Sequence, residues 1–174
     1  FIGTDRISFE RIQGRLIFTA NQAQIDNATG FLGGGRFVAS GGALLNGLSV
    51  DAFRFSIDGD NVTVPLPKDF ITTGDARLEV SGRRPQSNSD LLIAITGRVN
   101  ARRSLYTKDI DLSSIVGARR DQSLSAGGPL TGLTVDLTIE GRDALVVRNN
   151  IADLTASVSL RVTGDADDPQ MSGP

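Results

Sequence analysis

Between Leu133 and Glu140, apolar and polar residues alternate one for one. Leu133, Val135, Leu137 and Ile139 stand against Thr134, Asp136, Thr138 and Glu140. The same period of two returns further on, where Leu154, Ala156, Val158, Leu160 and Val162 alternate with Thr155, Ser157, Ser159, Arg161 and Thr163. Successive side chains of a β-strand point to opposite faces, so each stretch predicts a strand with one oily and one wet face. Upstream, Phe53, Phe55 and Ile57 oppose Arg54, Ser56 and Asp58, and Ala76, Leu78 and Val80 oppose Arg77, Glu79 and Ser81. Leu91, Ile93, Ile95 and Val99 form a further apolar line, with Gly97 where a small residue suits a kink. Short alternations around Ile7, Phe9, Leu16, Phe18, Ala23 and Ile25 open the chain as a meander.

Glycine and proline punctuate this pattern. Gly33, Gly34 and Gly35 predict a turn or bulge, and Gly41 and Gly42 a second break. Asp58-Gly59 predicts a hairpin turn, because glycine accepts the positive φ that a tight turn needs, with Val62 and Val64 on the return strand. Pro65 and Pro67 take the chain out of the sheet or along its edge. Residues 83–90 form a polar connection, and 102–103 lead into an extended piece over 105–109. One short helix is expected, capped by Asp109 or Asp111, carrying Leu112, Ile115 and Val116 and stopped at Gly117. Residues 118–128 are polar and aperiodic, which predicts a mobile loop. Residues 144–150 join the last two long strands, and 165–174 read as turn. Long helical periodicity is missing, so the fold class is all-β, with ten to thirteen short strands and at most one short helix.

Composition narrows the function. The 174 residues suffice for one sizeable domain. Net charge is −2, from 18 basic and 20 acidic residues, so the balance of charge supports no nucleic-acid partner. Cysteine and histidine are both absent, which excludes Ser-His and Cys-His nucleophilic pairs, thiol chemistry and the commonest transition-metal ligand. No enzyme activity, cofactor or metal is indicated. The longest apolar runs are a few residues, too short for a membrane-spanning helix. A transmembrane barrel also alternates, but one Tyr and no Trp cannot build its aromatic girdles. The first residue is Phe1 rather than Met, which suggests a piece excised from a longer protein.

Several small motifs carry little. Asp165, Asp167 and Asp168 resemble a calcium-binding set but fit a turn before Pro169 far better. Residues 30–35 lack the Lys-Ser/Thr ending of a phosphate loop. Asn27-Ala28-Thr29 and Asn61-Val62-Thr63 match the glycosylation pattern, which matters only in a eukaryotic secretory protein. Three arginine pairs, Arg83-Arg84, Arg102-Arg103 and Arg119-Arg120, suit phosphate head groups. The favoured explanation is solubility and protection of strand ends.

What remains is the set of one-sided apolar strands: Phe53, Phe55, Ile57, Leu78, Val80, Leu91, Ile93, Ile95, Leu133, Val135, Leu137, Ile139, Val158, Leu160 and Val162. Alternation shows that one face of each strand avoids water. It does not show what covers that face, and an ordinary sandwich core is the simplest cover.

Two segments carry a resemblance that bears on this. LLIAITGRVNARRSLYTKDIDL at 91–112 places a glycine-containing strand ahead of a basic Tyr-x-x-Asp segment. LVVRNNIADLTASVSLRVTGDADDPQMSGP at 145–174 contains a VRN, strand, G-x-x-x-x-P run. Both resemble the C-terminal region of the TamB family, AsmA-like proteins of the Gram-negative envelope. The texture of residues 5–78, with its VPLP segment, resembles the family too. The resemblance implies a β-taco, an elongated curled sheet of antiparallel or mixed strands with a hydrophobic concave face, extending over 1–174 as one segment. It implies a periplasmic location in a protein anchored in the inner membrane. It implies phospholipid acyl chains as cargo, moved or shielded between the membranes and lining up with the fifteen apolar residues above. It also implies work alongside TamA, a BamA-type outer-membrane barrel, in outer-membrane protein assembly and autotransporter secretion. A chaperone that pairs a strand edge with barrel substrates, and a plain structural β-domain, stand as alternatives.

Overall fold

A computed structural model describes residues 8–47, 49–65, 69–86, 89–109, 132–166 and 168–173. Nine strands run in chain order: β1 (Phe9–Phe18), β2 (Gln22–Leu32), β3 (Gly35–Asn46), β4 (Ser49–Val64), β5 (Phe70–Arg83), β6 (Leu92–Tyr106), β7 (Leu133–Arg148), β8 (Asp153–Asp165) and β9 (Asp168–Ser172). They form one sheet in the order β1 to β9, so every strand pairs with its neighbours in sequence. All pairings are antiparallel except β6 with β7, which is parallel. The first and last strands do not pair with each other, so the sheet is curled but not closed. No helix occurs among the described residues. The short helix and the loop at 118–128 expected from the sequence lie outside them.

The strands are longer and fewer than the glycine pattern suggests. Asp58-Gly59 is not a hairpin turn. Both residues sit inside β4, where Asp58 pairs with Arg77 and Gly59 lies between Phe37 and Ala76. Val62 and Val64 therefore continue the same strand, and the chain leaves the sheet after Val64, at Pro65. Gly41 and Gly42 are likewise interior to β3. Residues up to Arg148 belong to β7, and the terminal segment contains β9. Gly33-Gly34 is the turn expected: Leu32 pairs with Gly35, and both glycines between them have positive φ, 54° and 86°.

Interruptions that read as breaks are β-bulges. Register shifts occur in β4 after Gly59, in β6 between Asn100 and Ser104, and in β7 between Gly141 and Leu145. Asn61 and Asp143 take left-handed backbone there, with φ of 52° and 51°. Asn and Asp tolerate that region better than other side-chain-bearing residues. The bulges keep the strands continuous while bending them.

Hardly any of the described chain is deeply buried. Phe37, Ala101 and Ala144 are the buried hydrophobic residues, and no large side chain is fully enclosed among the described residues. Strand contacts are almost all between sheet neighbours, the main exception being β2 against β4 across β3. No second layer of described residues covers the sheet.

Candidate functional site: an uncovered apolar face

Directly paired residues share a face of the sheet, so the register sorts every position. One row runs Ala43, Phe53, Gly82, Ile93, Leu133. The next runs Gly41, Phe55, Val80, Ile95, Val135, Gly164. A third runs Ala39, Ile57, Leu78, Gly97, Leu137, Val162, Met171. The fourth contains Gly30, Phe37, Gly59, Ala76, Val99, Ile139 and Leu160. Val158 pairs with Gly141 one step beyond. Every one of the fifteen apolar residues picked out from the sequence thus falls on one common face, except Leu91, which immediately precedes β6. All fifteen are partly exposed.

The rows show how such a face packs within a single layer. Large side chains stand next to glycine or alanine. The Phe37 ring lies over Gly30, where an added Cβ would come within 2.7 Å of it, and the Phe53 ring covers Gly82 in the same way. Phe9 meets Phe37 edge-on, with ring centroids 5.9 Å apart. Rings spread sideways over neighbouring glycines and shield backbone that would otherwise be bare. Phe37, Val99 and Met171 were missing from the sequence-based set. Phe37 is flanked by Val38 and Ala39, which blur the alternation, so only the register assigns it to this face.

The opposite face is a lattice of charge. Arg77 Nε donates to Asp58 Oδ1 at 2.8 Å, and Arg161 makes a two-pronged pair with Asp136, both contacts at 2.8 Å. Arg54 pairs with Glu79 at 3.4 Å. Arg102 reaches from the β6 bulge to Asp60 at 3.0 Å and to Asp75 at 2.8 Å, tying three strands together. Asp75 Oδ1 also accepts the Asn61 N–H at 2.9 Å. That backbone donor, with Arg102 adding to it, holds the Asp75 carboxyl below the ordinary carboxylate value against a partly opposing desolvation. The Arg161 hydrogen bond does the same for Asp136. These pairs are exposed and each is worth little alone. Together they decide which face stays in water.

Two open depressions of about 690 and 1040 Å³ are walled mainly by this polar side, the first near Arg54, Arg83 and Leu44, the second near Arg36, Arg77 and Arg98. Neither is the apolar trough expected from the sequence. The apolar face is a broad surface, defined by register and exposure. Of the arginine pairs, Arg102 serves the bulge network, while Arg119-Arg120 lies outside the described residues. No group of His, Cys, Asp or Glu able to hold a metal occurs among the described residues.

The family model described as the TamB C-terminal domain matches residues 22–174. No curated protein and no solved structure matches the chain.

Proposed function

Since the chain belongs to the TamB C-terminal domain family, and so to proteins of the Gram-negative envelope that serve outer-membrane assembly, we propose that its uncovered face carries phospholipid acyl chains across the periplasm. The observation that supports this is the unbroken apolar surface from β3 to β9 with no described layer above it. Burying a methylene there yields about 0.8 kcal/mol, without direction or geometry. A chain so held can slide from row to row, which suits passage better than a deep pocket does. In this reading the chain is one stretch of an inner-membrane-anchored protein that delivers to a TamA-like, BamA-type barrel.

A second reading has its own observation. β1 is a ten-residue edge strand with Phe9, Ile12 and Phe18 exposed by 58%, 62% and 65%. Such an edge is a template for another strand, as an unfolded barrel substrate would supply.

The deciding experiment measures binding of a fluorescent diacyl lipid to the purified chain. Ile95→Asp lies mid-row on the apolar face and is expected to weaken binding at least tenfold. Thr138→Glu lies on the other face between Arg98 and Arg161 and is expected to leave binding unchanged. Equal effects from the two variants, with circular dichroism showing both folded, overturn the reading.

A further inference from the structure

We infer that the apolar face takes its lipid in one orientation, as an anionic amphiphile whose phosphate sits at Arg84; this rests on the acyl-chain reading above and adds a head-group subsite to it. The Arg84 N–H donates to the Asp51 carbonyl at 2.7 Å. This continues the register of β4 and β5 one step past Ala52 with Arg83. Arg83 is exposed and helps wall a depression on the polar face. Alternation then turns Arg84 to the apolar face, beside the row of Phe53 and Gly82. The pairing of Arg83 with Leu92 brings Leu91 alongside.

Arg84 differs from the paired arginines. Arg54, Arg77, Arg102 and Arg161 each hold a carboxylate on the polar face. The Nε of Arg84 is buried and has no hydrogen-bond partner. The side chain makes no ion pair with a described residue either, although Asp51 stands across the ladder on the same face. Buried donors without partners are rare in folded proteins and call for an explanation. The four apolar rows contain no charged residue, so Arg84, with Asp51 across the ladder from it, is the cation at one end of an oily strip. A guanidinium meets a phosphate with two parallel hydrogen bonds. A phospholipid with its phosphate on the outer guanidinium nitrogens, which are not among the buried atoms, and its tails along the rows would meet the unpaired cation and the apolar surface at once.

The test compares two fluorescent lipids with identical tails, phosphatidic acid and diacylglycerol, binding to the intact chain. The wild type is expected to prefer phosphatidic acid by about tenfold, the scale of one charge-assisted contact. Arg84→Gln should abolish that preference and leave diacylglycerol binding unchanged, and Arg84→Lys should keep part of it. Arg83→Gln removes the same charge from the other face and should keep all of it. With no variant at all, inorganic phosphate should compete against phosphatidic acid and spare diacylglycerol. If Arg84→Gln keeps the preference, if Arg83→Gln loses as much, or if phosphate competes against neither lipid, the head-group site is overturned while the acyl-chain surface stands. If the wild type binds neither lipid, the acyl-chain reading falls first.

Discussion

Leu137→Glu separates an open face from a closed core through stability alone. Leu137 lies between Gly97 on β6 and Val162 on β8, in the third apolar row, and is partly buried by these in-plane neighbours. Complete burial of a leucine side chain is worth about 1.5–3 kcal/mol. Glutamate keeps its β and γ methylenes against the sheet, and with no described residue above the row its carboxylate turns outward into water. The expected loss is therefore about 1–2 kcal/mol, read from the urea midpoint with the slope unchanged. Under a second layer the same change would add a stranded charge to a cavity of the kind that alone costs about 2–5 kcal/mol. The pH dependence gives an independent sign. A carboxyl in a closed core has its pKa raised, so the folded state favours the protonated form and the variant regains stability as pH falls through that raised value. On an open face no such recovery occurs. A loss above about 4 kcal/mol, or recovery on acidification between pH 7 and 5, would refute the uncovered sheet.

Gly97 has a φ of 149°, and a Cβ there would run into the backbone of Arg77 and lie 2.9 Å from Leu78 Cα. Gly97→Val should lower stability by about 2–4 kcal/mol in urea unfolding, combining backbone strain with a clash that no flexible side chain can relieve; a loss under about 1 kcal/mol would show that β5 and β6 are not so closely apposed. The depressed pKa of Asp75 implies acid sensitivity. Its contribution is complete above the unfolded carboxylate value near 3.8 and is lost as pH falls through the lower folded value. Asp75→Asn should therefore be less stable than wild type at neutral pH, and the two should converge below pH 4 in thermal melts across that range. Parallel melting curves would show that the bulge network does not depend on this carboxylate.

The legible part of this fold was its period. Two-residue alternation survives any error about where a strand ends, so Phe53 through Val162 could be assigned to one kind of face before any pairing was known. Ladder rows then merged these separate faces into one. What stayed hidden depended on partners across the sheet. Asp58-Gly59 has the local chemistry of a tight turn, yet Arg77 holds the aspartate and a Cβ on the glycine would crowd the Val62 side chain. Gly41 is small for a similar reason, since an added Cβ would strike the backbone of Arg54 and the Phe55 side chain. Asn61 and Asp143 matched nothing useful in the sequence because a bulge shows itself only as a shift against a partner strand. The parallel pairing of β6 with β7 was invisible too, because alternation reads the same in either direction.

The size of the face bears on what it is for. From β3 to β9 the third row crosses six strand spacings, about 29 Å at the usual 4.8 Å. The four rows span about 20 Å along the strands, at roughly 6.8 Å for every two residues. The first row stops at β7 and the second and fourth at β8, so the patch is about 500 Å², in the upper part of the range for exposed apolar patches on soluble monomers, where such patches usually serve binding. Larger side chains cannot replace Gly41, Gly82 or Gly97, where even a Cβ would strike neighbouring backbone or a ring. Instead rings spread over Gly30 and Gly82 keep the surface low and even, while ion pairs hold the other face in water. A low, even, oily surface backed by charge binds weakly at many places and strongly at none. That is the energetic profile the proposed acyl-chain path requires, and the proposed head-group site at Arg84 would give such a path a direction.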